Sequence, residues 1–176
     1  MLALLIERSY AKRKVVLSSG RESDFYIDCK KTVLTAEGHW LTGRLLFAGV
    51  RAGFADAVAV GGLTMGADPI ASAIATVSFV SGHPLHAFLV RKEPKGHGTG
   101  QWVEGLSVLP SGAKVVIVED VVTTGASTIK AIERARAEGL VPVGAYTLVD
   151  REEGGREAIE ATGVPVRSLF KRSDFP

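Results

Sequence analysis

The chain has 176 residues, of which 46% are hydrophobic and 23% are charged, and its formal net charge is +2. This length suits a single domain over residues 1–176, and so small a net charge does not indicate a nucleic-acid-binding protein. The N-terminal residues lack the pattern of a signal peptide, and no apolar run approaches the roughly 20 residues of a membrane span. The one cysteine, Cys29, allows no internal disulfide, so we expect a cytoplasmic protein, and the lack of an apolar span leads us to expect that it binds no membrane.

Residues 1 to about 31 are predicted to form a small N-terminal unit, which we call the hood. Short strands are expected at residues 15–17 and 25–28, and a turn at residues 19–21 joins them. Cys29 is expected to be a semi-buried structural residue, because no histidine pattern around it suggests a nucleophile.

The rest of the chain alternates apolar runs with helical patterns. Continuous apolar, β-branched runs that read as buried strands begin near residues 57, 85, 114, 141 and 164. Helices are expected between several of them, at residues 36–53, 69–78, 126–138 and 155–162. The run spacing of roughly thirty residues is that of βαβ units. The sequence therefore predicts an α/β fold with a central, mostly parallel sheet, helices on both faces, and ligands beyond the carboxyl ends of the strands.

Two of these helices have recognisable ends. Thr35 is a suitable N-cap for the first, and Gly139 is a suitable C-cap for the helix over residues 126–138. That helix is expected to bury Ile129 and Ile132. It is expected to turn three charged residues outward, namely Arg134, Arg136 and Glu138.

The strongest motif is VVIVEDVVTTGAS at residues 115–127. A buried strand ends in Glu119 and Asp120, and hydroxyl side chains and a glycine then lead into a helix. Backbone N–H groups at a helix start bind phosphate, and Gly125 allows close approach of the backbone. Carboxylates beside a phosphate would repel it unless they face donors such as vicinal ribose hydroxyls. The alternative is a strand that ends in solvated acids before a threonine-capped helix.

This segment resembles the motif with which type I phosphoribosyltransferases bind phosphoribosyl pyrophosphate (PRPP). The dinucleotide-binding G-x-G-x-x-G pattern and the P-loop GK[ST] pattern are both absent from the sequence. The resemblance implies a type I phosphoribosyltransferase fold. It also implies that the two acids hold the ribose and that residues 123–127 hold the 5′-phosphate.

A basic segment, RKEPKGHGTG at residues 91–100, directly follows a predicted strand. Its cations suit a polyanion that is covered during chemistry, although a charge run is often only a solvated loop. The pattern R-K-x-x-K-x-H-G resembles the catalytic loop of orotate phosphoribosyltransferases. Residues 17–28, 61–71 and 150–155 are similar to that family's hood, pyrophosphate loop and Asp-Arg loop, so the resemblance spans nearly the whole chain.

The resemblance assigns roles to individual residues. Orotate would contact Tyr26, Thr123 and Arg151, and the catalytic residues would be Lys95, His97 and Asp120. PRPP would contact the basic segment and the strand-to-helix motif through Arg91, Lys92, Lys95, His97, Glu119, Asp120, Val121, Val122, Thr123, Thr124, Gly125, Ala126 and Ser127. Many relatives carry lysines where Ser18 and Met65 stand, which implies two fewer phosphate contacts here.

The resemblance also implies a cofactor and a partner. Mg²⁺ would be held mainly by PRPP, with no direct protein ligands needed. Two copies of the chain would form a homodimer, with Lys95 and His97 of one subunit reaching the active site of the other.

Two alternatives are considered. A phosphoribosyltransferase that acts on a purine is disfavoured by the basic segment and by Arg151, because orotate carries a carboxylate that suits an arginine and purines do not. A PRPP-sensing regulator that binds nucleic acid would require an extra basic surface, which the net charge of +2 does not suggest.

Overall fold

The computed structural model describes residues 1–16, 22–94 and 101–176. Its helices are α1 (Leu2–Arg8), α2 (Lys30–Val33), α3 (Ala36–Gly53), α4 (Ala67–Val80), α5 (Ala126–Ala137) and α6 (Gly155–Glu160), with two short 3₁₀ helices at Leu106–Val108 and Arg172–Asp174. Its strands are β1 (Tyr10–Val16), β2 (Glu22–Ile27), β3 (Ala59–Leu63), β4 (His86–Val90), β5 (Val103–Glu104), β6 (Lys114–Val122), β7 (Val141–Asp150) and β8 (Val166–Lys171).

Six strands form the central sheet in the order β5-β4-β3-β6-β7-β8. All neighbouring pairs are parallel except β4 with β5, which is antiparallel. The five predicted apolar runs correspond to the five parallel strands, which confirms the predicted mostly parallel sheet. Strand β5 was not predicted, because two residues carry no periodic pattern.

The sheet is covered on both faces, as predicted. Along β6, Val115 and Ile117 belong to a core shared with α5 and α6, whereas Val116 and Val118 belong to a core shared with α3 and α4. Alternate side chains of a strand point to opposite faces, so a continuous apolar run is needed to fill both cores.

The hood is an antiparallel pair, β1 with β2, preceded by α1. Strand β1 begins at Tyr10, earlier than the predicted start at residue 15, and the turn predicted at residues 19–21 lies outside the described residues. Helix α1 was not predicted, and its Leu5 is fully buried. Phe25 of β2 is also buried and belongs to the same core as residues of α3 and α4, so the hood packs against the rest of the domain.

The predicted helix ends are confirmed in α3 and α5. The side chain of Thr35 accepts a hydrogen bond from the backbone N–H of Gly38, and Gly139 follows α5 with φ +77°. A left-handed residue after the last turn is the usual place for glycine. Because β3, β4, β6 and β7 are parallel, their carboxyl ends lie along one edge of the sheet.

Candidate active site

The loop after β6 forms a small concavity of about 170 Å³. Among the described residues it is lined by consecutive residues of the strand-to-helix motif, namely Val121, Val122, Thr123, Thr124, Gly125, Ala126, Ser127 and Thr128. Gly125 has φ +80° and directly precedes α5, whose start has no side-chain cap among the described residues. A helix N-terminus with unclaimed amides and neighbouring hydroxyls binds an anion, so this concavity suits a phosphate group.

Two carboxylates lie at the end of β6, beside this loop. Glu119 is 7% exposed, and its Oε2 has no hydrogen-bond partner within the described part of the chain. Burial first, and then the charge of Asp120, raises the pKa of the Glu119 carboxyl well above its usual range. Asp120 is anchored differently, because its Oδ1 accepts from the backbone N–H of Val121 at 2.9 Å. The pair therefore combines a buried acid, Glu119, with an acid whose orientation is fixed by a backbone amide, Asp120.

The loop after β3 approaches these acids closely because it contains Gly66. A Cβ at Gly66 would lie 2.5 Å from Asp120 Oδ1 and 3.1 Å from Glu119 Oε1. The adjacent Met65 is 69% exposed, and the Thr64–Met65 peptide is cis. The sequence did not predict that Gly66 is required here, because the contact joins residues far apart in the chain.

Arg151 lies directly after β7 and is buried, with 7% exposure. Its backbone N–H donates to the carbonyl of Val122 at 2.9 Å, so Arg151 lies next to the loop after β6. Its Nη2 donates to the carbonyl of Phe25 at 3.1 Å and lies 2.8 Å from Glu153 Oε1. The partners Phe25 and Glu153 were not anticipated from the sequence. Arg151 therefore joins the hood to the carboxyl edge of the sheet.

Tyr26 follows Phe25 on β2 and is half-buried. The guanidinium of Arg13 lies 3.9 Å from the centre of its ring, so a cation covers one ring face. Such a contact fixes the ring in the hood.

The basic segment is only partly described. Arg91 Nη1 lies 3.1 Å from Glu104 Oε1, and Lys92 is exposed. Lys95 and His97, both predicted to be catalytic, lie outside the described residues, as does Ser18.

Arg134 was predicted to turn outward, and the structure shows it partly exposed and packed on a ring from another segment. Its guanidinium lies 3.8 Å from the centre of the Trp102 ring and donates to the carbonyls of Arg91 and Lys92. Helix α5, which starts at the loop after β6, thereby also holds the backbone at the start of the basic segment. Arginine stacks on aromatic rings, and a sequence pattern at helical spacing does not reveal a ring elsewhere in the chain.

Cys29 is fully buried, more so than the predicted semi-buried state, and its Sγ lies 3.8 Å from the carbonyl oxygen of Asp120. Burial first, and then the charges of Asp120 and Asp28, raises the pKa of the thiol well above its usual range. A thiol with a raised pKa is a poor nucleophile, so its role is structural.

Comparisons with known proteins identify the family of this chain. A family model described as “Phosphoribosyl transferase domain” matches residues 45–166. The orotate phosphoribosyltransferase of Sorangium cellulosum is 53% identical over 175 residues, which cover 99% of this chain and 91% of that protein. This chain belongs to the orotate phosphoribosyltransferase family. The orotate phosphoribosyltransferase of Aquifex aeolicus is 50% identical over 159 residues, which cover 90% of this chain and 85% of that protein.

Solved structures of orotate phosphoribosyltransferases share this fold. The Mycobacterium tuberculosis enzyme in complex with Fe(III) dicitrate gives a TM-score of 0.83 at 41% identity, covering 98% of this chain and 95% of that one. The same enzyme in complex with PRPP gives a TM-score of 0.79 at 39% identity, covering 98% and 94%. An adenine phosphoribosyltransferase of Leishmania donovani, at 19% identity and a TM-score of 0.69, shares the fold alone. Among the described residues, no helix is long and apolar enough to cross a membrane.

Proposed function

We propose that this chain transfers the ribose 5-phosphate group of PRPP to N1 of orotate, forming orotidine 5′-phosphate and pyrophosphate. The observation that carries the proposal is the arrangement at one sheet edge of an anion-binding loop, a carboxylate pair and Arg151. These three groups suit the 5′-phosphate, the ribose hydroxyls and the carboxylate of the base.

PRPP would bind across the end of β6. The backbone amides and hydroxyls of residues 121–127 would hold the 5′-phosphate, supported by the concavity of about 170 Å³. Glu119 and Asp120 would accept hydrogen bonds from the ribose hydroxyls. The hydrogen bond from the amide of Val121 to Asp120 Oδ1 keeps that carboxylate oriented without consuming its other oxygen.

Orotate would bind between the hood and the end of β7. A guanidinium carries five N–H donors in a fixed fork, so Arg151 can hold a planar carboxylate while it keeps its contact with the Phe25 carbonyl. Tyr26 would flank the ring of the base, and Thr123 would lie near it. These contacts would fix the position of the base relative to the carboxyl edge of the sheet.

The departing pyrophosphate would be held by Arg91, Lys92, Lys95 and His97. In the free chain Arg91 is paired with Glu104 at 3.1 Å, an ion pair in which both side chains are about 40% exposed. Exposed pairs of this kind contribute little stability, so Arg91 can exchange its carboxylate partner for pyrophosphate at low cost.

Mg²⁺ would enter this site bound to PRPP. No group of three His, Cys, Asp or Glu side chains among residues 1–16, 22–94 and 101–176 is arranged to hold a metal by itself. Mg²⁺ prefers oxygen ligands and keeps waters, so phosphate oxygens of PRPP, with the acid pair nearby, would hold it. When bound, it would neutralise charge on the departing pyrophosphate.

The reaction requires positioning and not a protein nucleophile. As the bond from C1 of the ribose to pyrophosphate breaks, positive charge develops on the sugar, as in glycoside cleavage. Glu119 and Asp120 would stabilise that charge, and the cations of the basic segment would stabilise the negative leaving group. Covering the site would exclude water and so prevent hydrolysis of PRPP.

The same proposal includes the assembly and location of the chain. Residues 1–176 would act as one domain, and two copies would form a homodimer in which Lys95 and His97 serve the partner's site. The family resemblance supports this arrangement. A cytoplasmic location suits a chain with one cysteine and intracellular substrates.

The decisive experiment mixes the purified chain with orotate, PRPP and Mg²⁺ and follows the loss of orotate absorbance. We expect consumption of orotate and no consumption of adenine in a parallel reaction. Asp120→Asn should lower kcat/KM at least about tenfold, because charge-assisted hydrogen bonds are worth on the order of 1.5–3 kcal/mol. The matched control is Asp56→Asn, which alters a mostly exposed carboxylate far from the site. Failure of the unmodified chain to consume orotate would refute the proposal.

A further inference from the structure

The chain segment after β8 contacts the hood, although the two are far apart in sequence. Arg172 Nη2 lies 2.6 Å from Asp24 Oδ1, across 148 positions of the chain. The two side chains are 42% and 61% exposed. An exposed pair of this kind contributes little to overall stability, so its value is in the position that it fixes.

The buried ring of Phe25 connects this segment to the orotate side of the site. Phe175 meets the Phe25 ring edge-on, with centroids 5.5 Å apart, and the guanidinium of Arg172 lies 5.6 Å from the ring centre. The guanidinium of Arg151 lies 5.3 Å from the same ring and also donates to the Phe25 carbonyl at 3.1 Å. A shift of Phe25 would therefore displace a hydrogen-bond acceptor of Arg151.

A second connection runs through the residue that follows Arg151. Glu152 has φ +55°, an unusual conformation for a residue with a side chain. Its backbone N–H donates to Asp150 Oδ1 at 2.9 Å, and its Oε2 accepts from the backbone N–H of Ser173 at 3.1 Å. Strained residues persist only where their surroundings hold them, and here Ser173 supplies one of those contacts. Residues 172–175 thus contact both Phe25 and Glu152, which flank Arg151 in space.

We propose that Arg172 and Phe175 are positioning residues for recognition of orotate: they act through Phe25 and Glu152 to hold the Arg151 guanidinium in place. Neither residue touches substrate, and the proposal rests on the proposed function, in which Arg151 binds the carboxylate of orotate. The residues proposed to hold PRPP lie at the end of β6 and in the basic segment after β4, whereas residues 172–175 pack on the hood and on Glu152. Loosening the segment should therefore weaken orotate binding selectively.

The test compares Arg172→Gln with the unmodified enzyme in steady-state kinetics with both substrates. We expect KM for orotate to rise about fivefold or more, the lower end of the range for energetic coupling between two sites of a protein. KM for PRPP should change less than twofold. A role in folding alone would lower the melting temperature without separating the two KM values. Phe175→Leu, which keeps an apolar side chain, should produce the same separation.

Two further variants sharpen the result. The exchanged pair Asp24→Arg with Arg172→Asp should recover only part of the change in KM for orotate, because it rebuilds the ion pair with reversed charges but not the guanidinium beside the Phe25 ring. Lys114→Ala removes another exposed ion pair, with Asp56 at 3.0 Å, at the amino end of β6, and should leave both KM values unchanged. Equal changes in the two KM values would overturn the positioning role. The proposed reaction fails separately, if the unmodified chain consumes no orotate.

Discussion

The backbone N–H of Arg151 donates to the carbonyl of Val122 at 2.9 Å, so the arginine and the anion-binding loop leave neighbouring strands at the same level. The pairing of Val122 with Asp150 in the parallel β6–β7 ladder sets this level. A slip of one residue would turn every side chain of a strand to the other face. The register of two buried strands therefore fixes the distance between the sites proposed for phosphate and for the carboxylate of the base.

Loss of the Arg151 guanidinium should impair use of orotate more than use of PRPP. Because Arg151 is buried beside Glu153, its removal alone would leave a buried charge without compensation. We therefore combine Arg151→Gln with Glu153→Gln. KM for orotate should rise at least about tenfold, since a charge-assisted contact is worth on the order of 1.5–3 kcal/mol. Glu153→Gln alone is the control, and equal rises in both KM values for the double variant would contradict the assignment.

Gly66→Ala should disturb the acid pair without straining the backbone. Gly66 has φ −62°, which suits alanine, but the new Cβ would lie 2.5 Å from Asp120 Oδ1. The clash would displace the Asp120 carboxylate, and because small misplacements of catalytic groups strongly reduce rates, kcat/KM for PRPP should fall about fivefold or more. Initial rates at varied PRPP concentration measure this.

Gly82→Ala is the matched control for that substitution. Gly82 has φ +75°, and a methyl group there would have no neighbour within 4 Å among the described residues, so alanine strains the backbone but meets nothing. It should lower the free energy of unfolding by about 1–2 kcal/mol and leave kcat/KM unchanged. If Gly66→Ala instead lost stability and kept full activity, catalysis would not depend on the close approach of this loop to Glu119 and Asp120.

The stability of the chain should fall with rising pH because of Glu119. Its pKa is raised in the folded chain, chiefly by burial, so the folded chain binds more protons than the unfolded chain above about pH 4.3, the ordinary pKa of glutamate. The free energy of unfolding therefore declines as pH rises from that value through the raised pKa, and it is unaffected by this group at lower pH.

Glu119→Gln should remove this contribution. The substitution should raise the free energy of unfolding relative to the unmodified chain, by an amount that grows from about pH 4.3 upward. Urea denaturation at a series of pH values measures the difference, with Glu7→Gln, on the first helix, as the control. A difference that does not vary with pH would show that Glu119 titrates normally.

Subunit exchange tests the proposed sharing of active sites in a homodimer. Lys95→Ala and Asp120→Ala enzymes should each be nearly inactive. A mixed dimer would have one site with both defects and one intact site. Random exchange makes about half of the dimers mixed, so roughly a quarter of the original activity should return. Complete exchange with no recovered activity would show that the basic segment serves its own subunit.

The sequence predicted the parts of the site that lie along one stretch of chain. The run of valines in β6 indicates a strand buried on both faces, and the acids, threonines and Gly125 after it indicate where that strand meets a helix. Both helix ends marked by Thr35 and Gly139 were predicted for the same reason, because capping depends on immediate neighbours.

The sequence could not predict contacts that join distant segments. Arg151 donates a hydrogen bond to a carbonyl 126 positions away, and the partly exposed Arg134 stacks on Trp102. The sequence does not distinguish Gly66 from other loop glycines, and only the folded chain shows that it lies beside Glu119 and Asp120. Short elements also escape pattern analysis, as β5 shows with its two residues. These features depend on tertiary packing, which leaves no periodic trace in the chain.

The burial of Cys29 makes the thiol a natural reporter of motion between the hood and the sheet. It is the only cysteine in the chain, its side chain is fully buried, and it touches the backbone of Asp120. A thiol reagent can modify it only after these two parts separate, so the labelling rate is the intrinsic rate of the reagent multiplied by the opening equilibrium constant. A ligand that bridges hood and sheet slows that rate, and the same native side chain then measures occupancy without any engineered probe.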